Sequence, residues 1–445
     1  MKLDVYVNGV LTGVLDQVEI SKYVFTYHPQ AQPAQAISLL MPVRTESWVH
    51  RDLHPVFQVS LPEGSLRQIL TAKFAKQFPR FGNTELLSVV GSHLVGRIQV
   101  TAHGAPLNTD SPHENLKSVL QWSTQEALDH YLGEHACYSG VSGGFPKVLV
   151  KSLTMTEVDG KNTLIFDHWI VKADDSDRPF LVLNEYFGLR VAQEMGLPTP
   201  TFHLAEDCTR IAIERFDVAV DQASGIQHKG FEDMCSLLAL NSSDKFSGSL
   251  ERVIRVLNEF CCEAAKQDSI SRFYAQYSAC MAIRNGDAHL KNFGLVYTGL
   301  DDAELSPVYD MLTMSAYALR AQHGDALDEP ALSFGGVRRW FTPKTQAQFA
   351  ARCRVSASEQ KRVSHTLCKA MEIVAGEIVA KAAEVESFQP TAQRLLELWS
   401  HGLKIHGEES SQQIMAMKDS IRARSEGMNQ SQDDEDETTP APSAC

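Results

Sequence analysis

The sequence lacks the features that would place a protein in a membrane or outside the cell. No apolar run approaches the roughly 20 residues of a membrane-spanning helix, and the first residues carry no apolar core of a secretory signal. The nine cysteines form no Cys-x-x-Cys pair and no regular framework, which is typical of reduced thiols. We therefore expect a soluble, cytoplasmic protein without a membrane contact.

An excess of positive charge is also missing. The chain has 41 Lys and Arg against 55 Asp and Glu, a formal net charge of -14, so a global basic field that attracts nucleic acid is not expected. A local basic patch or a basic partner is still compatible with this charge. What is present is an apolar fraction of 43% and a charged fraction of 22% over 445 residues, typical of a soluble globular protein with two or three domains.

Composition and periodicity divide the chain into four segments. The first is mostly β, and its Asn8-Gly9 pair, flanked by alternating apolar residues, predicts a hairpin. The last is acidic, and we expect it to be disordered, from Ser425 at the latest. The predicted segments are a β subdomain at 1–105, a small lobe at 106–217, a helical large lobe at 218–406 and the acidic tail at 407–445.

Local patterns predict the elements within these segments. Residues 93–101 are predicted as a strand and residues 116–132 as a helix. From 147 to 216 the order strand, strand, helix, strand is compatible with the small lobe of a protein kinase, and a mainly helical pattern follows. The adjacent Cys261 and Cys262 are expected inside one of these helices, packed in the core. The predicted fold class is therefore α+β, with two kinase-like lobes and an N-terminal β subdomain.

The most informative segment is 284–293, in which Asp287 precedes Asn292 by five positions. In a kinase catalytic loop, an Asp at this spacing accepts the proton of the attacking hydroxyl and the Asn binds Mg²⁺. Asp310 ends a later apolar run, where kinases place their main metal ligand. The spacing alone is equally compatible with a polar turn, but Asp310 and the preceding helical pattern favour catalysis. We predict Asp287 as the catalytic base, and Asn292 and Asp310 as Mg²⁺ ligands.

Two more residues of this segment are candidates. Lys291 lies between Asp287 and Asn292 in the sequence and is predicted to neutralise charge on the transferred phosphoryl group. His289 is predicted to lie beside the nucleotide or, alternatively, to brace the loop through hydrogen bonds.

A glycine-rich segment, 140–147, precedes a predicted strand. Its glycines would let backbone N–H groups approach phosphates closely, although it matches neither a Walker A motif nor the usual kinase glycine-rich loop. An ordinary turn is the simpler interpretation of this segment taken alone. The predicted nucleotide contacts in it are Val141, Ser142, Gly143, Gly144 and Lys147.

Three positions complete the predicted nucleotide site. Lys172 ends a strand, from which a lysine reaches the α- and β-phosphates in kinases. Glu185, on the following helix, is placed to pair with Lys172. The segment Glu214-Arg215-Phe216 closes a strand where kinases join their lobes, and its backbone is predicted to contact adenine. Each has a simpler alternative, namely an exposed strand end for Lys172 and Glu214–Phe216 and a solvated helix face for Glu185.

Taken together, these motifs resemble the HipA-type serine/threonine kinases, the toxins of bacterial toxin–antitoxin modules. The resemblance covers nearly the whole chain, and several motifs in one order are more specific than any single one. They are the segments 61–64, 140–147, 169–172, 184–186, 214–217, 232–235, 285–293 and 306–310.

The resemblance implies ATP and Mg²⁺ as cofactors and a serine of a protein as substrate. In the best-known members that protein is an aminoacyl-tRNA synthetase, and growth arrest follows. It also implies a small helix-turn-helix antitoxin partner, HipB-like and usually dimeric, through which DNA is contacted indirectly.

Two positions depart from the family pattern. The first serine of the family's phosphate loop, an autophosphorylation site, is replaced by Gly140 here, with Ser139 before it. Ser142, the second serine, is therefore the predicted autophosphorylation site, if one exists. The residue before Asn285 is usually Gly in the family and is Arg284 here. Two other functions remain open from the sequence, a small-molecule kinase and a catalytically weak corepressor that binds the antitoxin.

Overall fold

The computed structural model describes residues 1–78, 80–110, 113–121, 136–143, 147–158, 161–174, 177–221, 225–319 and 328–421. Its strands are β1 Lys2–Val7, β2 Val10–Glu19, β3 Lys22–Tyr27, β4 Trp48–His50, β5 Ile98–Ala102, β6 Lys147–Val158, β7 Lys161–Ala173, β8 Phe202–Leu204, β9 Arg210–Glu214, β10 Val218–Asp221, β11 Gly225–His228, β12 Gly230–Asp233, β13 Gly294–Tyr297 and β14 Glu304–Leu305.

Its helices are α1 Pro55–Gln58, α2 Gly64–Phe74, α3 Asn83–Val90, α4 Leu116–Gln121, α5 Leu181–Glu194, α6 Met234–Leu237, α7 Leu250–Phe260, α8 Glu263–Ala282, α9 Pro343–Arg352, α10 Ala357–Glu384, α11 Gln389–Leu403 and a run at 408–421, here α12. No helix among these described residues is both long enough and apolar enough to cross a membrane.

The first hundred residues build a five-stranded antiparallel sheet in the order β4-β3-β2-β1-β5. The predicted hairpin is confirmed, since β1 pairs with β2 around Asn8 and Gly9, whose φ angles of 47° and 76° are those of a tight hairpin turn. Apolar side chains on one face of the sheet pack against α1 to α3 and form a second core, which also includes Val148 and Val150 of β6, Trp169 and Val171 of β7 and Ala212 of β9. The N-terminal subdomain therefore shares its hydrophobic core with strands β6, β7 and β9.

The strand predicted at 93–101 begins later than expected. Residues 91–93 form a 3₁₀ turn, and pairing with β1 starts only at Ile98. Between them Gly96 has a φ of 93°, which favours glycine, and its N–H donates to the Asp217 carboxylate at 2.7 Å. A contact to the other part of the molecule therefore takes these residues out of the strand.

A second antiparallel sheet, β6-β7-β9-β8, carries helix α5, and a third, β12-β13-β14, lies beside the first half of α8. In the second sheet Lys147 on β6 lies directly opposite Lys172 on β7. The two lysines predicted to hold phosphates are thus brought to one end of a strand pair. The helix predicted at 116–132 is described only over Leu116–Gln121, and the rest of it lies outside the described residues.

The C-terminal half packs around α8, α10 and α11, whose apolar faces share one large core. One expectation is corrected here. Cys261 and Cys262 lie between α7 and α8 rather than inside a helix, with Cys261 buried and Cys262 half-buried. Extended backbone at both residues ends one helix and starts the next.

The disorder expected over 407–445 is wrong for its first part. Residues 408–421 form helix α12, and its Ile414 and Ile421 are buried against the large core. Ser411 and Ser400 also exchange hydrogen bonds through their side chains and carbonyls at 2.8 Å. The acidic composition hid an apolar stripe at helical spacing, and residues 422–445 lie outside the described part of the chain.

Buried polar contacts join the N-terminal subdomain to the rest of the molecule. The Glu232 carboxylate is inaccessible to solvent and accepts hydrogen bonds from the Ser38 hydroxyl and the Leu39 N–H at 2.7 and 2.8 Å. The Arg97 guanidinium donates to the carbonyls of Ala36 and Thr298, both at 2.7 Å. A buried carboxylate and a buried guanidinium thus connect the two parts.

Candidate active site

A cleft of about 620 Å³ lies where the second sheet, the third sheet and the N-terminal subdomain meet. All three parts of the chain contribute side chains to its walls. The predicted residues that line it are Val141, Ser142, Gly143, Lys147, Lys172, Glu214, Phe216, Asp287, His289, Lys291, Asn292 and Asp310. Glu185 reaches the site through Lys172, as described below.

Helix α8 ends directly before the catalytic segment. Its C-terminal cap has the conformation that usually requires glycine, although the residue at that position is Arg284. Arg284 follows the helix with a φ of 60°, and the N–H of Asn285 donates back to the Cys280 carbonyl at 2.8 Å. This is the hydrogen bond of a Schellman motif, in which the left-handed position is usually Gly. The Arg284 guanidinium lies 4.7 Å above the Trp340 ring, so its side chain packs beside the cap.

Asp287 stands at the centre of the cleft. Burial raises the pKa of its carboxyl to about 6, and the nearby Asp310 carboxylate adds to this against the attraction of Lys245. A carboxyl with a pKa near 6 is suited to accept a proton at neutral pH. Gly286 precedes it with no room for a side chain, since a Cβ atom there would lie 2.1 Å from the Asp328 carboxylate.

The two predicted metal ligands are neighbours. The side-chain amide of Asn292 lies 3.5 Å from the Asp310 carboxylate, and the other amide atom accepts from the His289 N–H at 3.1 Å. Burial alone would raise the pKa of Asp310, but Lys172 and Lys147 outweigh it and hold the pKa far below its usual value. Asp310 is therefore ionised at neutral pH.

Lys172 connects the two lobes through carboxylates. Its ammonium group donates to the Glu185 carboxylate at 2.5 Å and forms a second ion pair with Asp310. Although burial opposes its charge, these two carboxylates raise the pKa of Lys172 above its ordinary value. The simpler alternatives for this pair are wrong, because Lys172 and Glu185 are both buried.

The glycine-rich segment contacts the N-terminal subdomain. The Ser142 hydroxyl donates to the Glu63 carboxylate at 3.0 Å, and the Lys147 ammonium donates to the Ser142 carbonyl at 3.0 Å. Gly143 has a φ of 123°, a conformation that side chains rarely allow. Gly144 lies outside the described residues.

The three residues at the strand end, 214–216, have different surroundings. Two of them line the cleft, and the third faces the N-terminal subdomain. Glu214 and Phe216 line the cleft, and the Phe216 ring packs on Phe231 and Tyr309. The Arg215 side chain points away from the cleft, and the predicted contact of its backbone with adenine stays a prediction. Its guanidinium forms a buried ion pair with Asp217 at 2.6 Å, and its N–H is taken by the β7 backbone, because alternate residues of a strand face opposite sides.

Lys291 lines the cleft but is held by other groups. Its ammonium pairs with Asp233 at 3.0 Å and donates to the Val59 carbonyl at 3.2 Å. These contacts brace the catalytic segment on the N-terminal subdomain, and its predicted catalytic role stays a prediction. Burial lowers the pKa of His289 to about 3, so this side chain is neutral.

Several cleft residues were not predicted from the sequence. Glu63 and Lys245 form an ion pair of 3.3 Å at its wall, 182 positions apart in the chain, and no local pattern signals such a pair. Arg178 and Asp328 also line the cleft close enough to Asp287 to affect its pKa. The motif at 61–64 was the one available signal for Glu63.

The donor set of Asn292 and Asp310 fits a magnesium ion. Asp310 is ionised and offers carboxylate oxygen. The Asn292 amide directs its nitrogen toward Asp310 and its oxygen toward the His289 N–H, so it would have to rotate to offer oxygen to the ion. Mg²⁺ is usually held by one or two carboxylates, with water and substrate phosphates completing its shell. Groups of three or more His, Cys, Asp and Glu that suit a metal are absent from the described part of the chain, which excludes a site made by such side chains alone there.

Comparison with protein families assigns both halves of the chain. A model of the HipA-like C-terminal domain matches residues 139–381, and a model of the HipA N-terminal domain matches residues 3–101. The chain belongs to the HipA family. The resemblance inferred from the motifs is confirmed, and the matched regions contain all the predicted site residues.

Related proteins and structures agree with this HipA assignment. Two putative kinases of Sinorhizobium fredii, Y4dM and Y4mE, are each 24% identical, over 76% and 71% of this chain and 81% and 78% of their own. The Shewanella oneidensis MR-1 HipA–HipB–operator DNA complex contains a chain with a TM-score of 0.57 and 15% identity, over 95% of this chain and 96% of that one. The predicted α+β, kinase-like fold of this HipA protein is confirmed.

Proposed function

We propose that this HipA protein is an ATP- and Mg²⁺-dependent serine/threonine protein kinase. One observation carries the proposal, namely the convergence of Asp287, Asn292, Asp310 and Lys172 in a single cleft. These residues lie up to 138 positions apart, and phosphoryl transfer requires them together because its catalysis is mainly positioning and charge stabilisation.

The cleft supplies distinct binding regions for a nucleotide. Lys172 and Lys147, opposite each other on β6 and β7, would hold the phosphates, and the wall formed by Ile170, Ile213 and Phe216 would cover the adenine. Asn292 and Asp310 would hold Mg²⁺, which when bound supplies positive charge to the β- and γ-phosphate oxygens.

Asp287 would then serve as the base. The substrate hydroxyl oxygen forms a bond to the γ-phosphorus while the bond to the ADP oxygen breaks, and the hydroxyl proton moves to the Asp287 carboxylate. Its pKa of about 6 leaves the carboxylate largely ionised at neutral pH and still basic enough to accept the proton.

The test is transfer of radiolabelled phosphate from ATP in a whole-cell lysate. Asp287→Asn keeps the shape of the side chain and removes the base, and we expect a fall in rate of roughly 10²- to 10⁴-fold. Asp301→Asn, at an exposed site, is the control. A discrete labelled protein band supports a protein kinase, label confined to small metabolites would show a small-molecule kinase, and full activity of Asp287→Asn would remove the assignment.

We further propose that the chain is the toxin of a cytoplasmic toxin–antitoxin module. The support is its family and its structural likeness to a HipA solved with HipB and operator DNA. The partner would be a HipB-like helix-turn-helix antitoxin, dimeric as in the family that the chain resembles. This antitoxin would supply the DNA contact that a chain of charge -14 does not favour. An aminoacyl-tRNA synthetase is the proposed substrate.

Growth measurement tests the toxin proposal. Expression of the wild-type chain should arrest growth, and co-expression of the neighbouring antitoxin should relieve the arrest. Equal arrest by Asp287→Asn would instead show an effect of binding alone, as expected for a corepressor.

Ser142 is the proposed autophosphorylation site. Its hydroxyl lies in the cleft wall beside Lys147, and Glu63 accepts its proton in a hydrogen bond. Mass spectrometry after incubation with ATP should find phosphate on Ser142, and Ser142→Ala should remove it. Phosphate found only on Ser139 would contradict this assignment.

A further inference from the structure

A second cavity lies outside the cleft, between the N-terminal subdomain and the second sheet. Its volume is about 50 Å³. A single water needs a cavity of only roughly 10–15 Å³, so this cavity is larger than one water requires. The size of ligand in question is that of a small oxyanion such as phosphate.

The lining of this cavity is rich in nitrogen donors. Five of its side chains carry a cationic or imidazole group and come from five separate parts of the chain, so the folded molecule creates the cluster. They are His93, Lys151, His168, Arg215 and His228, and Gln99, Thr109 and Tyr138 also line the cavity.

The donor capacity of the cluster is not used up by the protein. His168 is 95% buried and lines the cavity. The Nδ1 atom of His228 is buried and lacks a partner within the described part of the chain. Buried polar groups without partners are rare and are usually explained by a bound water or ion.

Positive charge is present beside these imidazoles. Arg215 uses Nε and Nη2 for Asp217 and the Leu94 carbonyl, so its hydrogen bonds to described residues do not involve Nη1. Lys151 donates to the Thr109 carbonyl at 2.7 Å and has two further protons. The acids nearby are Asp217, paired with Arg215, and Asp110, which acts on Lys151 and His93.

We propose that this cavity, named here the histidine cavity, binds a small inorganic oxyanion of the phosphate class. Lys151 and Arg215 supply charge, and the imidazoles of His168 and His228 donate N–H groups. Because His93 belongs to the N-terminal subdomain and His168 to β7, the bound anion ties the two parts together. Burial and the positive charges of Lys151 and Arg215 lower the pKa of His93, His168 and His228. A bound anion would offset the repulsion among these positive charges.

The test is a titration of the full-length protein with inorganic phosphate, followed by ¹⁵N signals of the histidine side chains. We expect saturable shifts at His168 and His228 and none at His289, which lies in the catalytic cleft and reports binding there. The proposal would be overturned by shifts at His289 alone. It would also be overturned if neither His168 nor His228 showed a saturable shift.

A matched pair of variants gives a second measurement. Lys151→Gln should weaken phosphate binding by about tenfold or more, the effect of a lost hydrogen bond to a charged group. Lys229→Gln removes the same charge from a neighbouring position that does not line the cavity, and it should leave the affinity unchanged. Equal affinity of the two variants would contradict the proposal, and His168→Gln replaces Lys151→Gln if that variant fails to fold.

Discussion

At the scale of single residues, the proposed base works against the stability of the fold. Burial raises the pKa of Asp287 from 3.8 to about 6, so the folded state holds its proton more tightly than the unfolded state. Between these values the free energy of unfolding therefore falls as the pH rises. At pH 7 the ionised Asp287 costs roughly 1–3 kcal/mol.

The first prediction follows from this cost. Asp287→Asn should be more stable than the wild type at pH 7 by roughly 1–3 kcal/mol while being inactive, and the gain should vanish near pH 4. Denaturant unfolding at both pH values measures it. Wild-type activity should rise with pH through about 6, and a gain in stability that is equal at both pH values would exclude this cause.

The second prediction concerns Lys172, whose loss leaves two carboxylates without their cation. Lys172→Met should lower the free energy of unfolding by roughly 3–5 kcal/mol, because breaking a buried ion pair exposes an uncompensated charge. The double variant Lys172→Met/Glu185→Leu should recover part of this loss. Urea unfolding compares the three proteins, and no recovery in the double variant would show that Glu185 is not the unpaired charge.

At the scale of elements, the end of α8 is a position where Gly should stabilise the protein more than Ala, the reverse of their effects inside a helix. Inside a helix Ala is favoured over Gly by about 1 kcal/mol, but Arg284 has a left-handed φ of 60° that Gly adopts without strain. We predict that Arg284→Gly is more stable than Arg284→Ala by about 1 kcal/mol. Both variants lose the contact with Trp340, so it cancels in the comparison.

The hydrophobic periodicity and turn residues of the sequence predicted most helices and strands. They did not predict the contacts between residues far apart in the chain. The hairpin at Asn8-Gly9 and the elements β6, β7, α5 and β9 follow from residues close in sequence, and the structure confirms them. The short strand β8, which lies between α5 and β9, was not predicted. The late start of β5 depends on Asp217, which is 121 positions from Gly96. Periodicity carries no information about such a partner.

The candidate site shows the same division. The spacing of Asp287 and Asn292 was sufficient to find one side of the cleft, and Asp310 lies where the sequence placed it. The contribution of Glu63 and the diversion of Arg215 both arise from the N-terminal subdomain, which packs against the lobes through buried polar groups. Those contacts join residues that are distant in the sequence, so no periodic pattern of residues predicts them.

At the scale of the whole molecule, Glu232 makes several of the buried polar contacts between the N-terminal subdomain and the rest of the chain. We call this set of contacts, made by Glu232 and Arg97, the joint. The Glu232 carboxylate accepts from Ser38, Leu39, Ser236 and Tyr297, so Glu232→Ala leaves four donors without this acceptor. We predict a loss of about 3–5 kcal/mol, given a cost of roughly 1–3 kcal/mol for each buried donor left unpaired and partial relaxation. Differential scanning calorimetry should show a lower transition temperature than that of the wild type, whereas a transition at an unchanged temperature would contradict the prediction.

The joint also has a consequence for synthesis on the ribosome. Arg97 emerges 201 residues before Thr298, whose carbonyl it contacts, and at 5–20 residues per second this is a delay of roughly 10–40 s. Early in that interval the first sheet still lacks the partners of its core on β6, β7 and β9, and its arginine and the backbone around Ser38 face water. The nascent chain therefore presents both apolar and polar surface to solvent until the second and third sheets have been made.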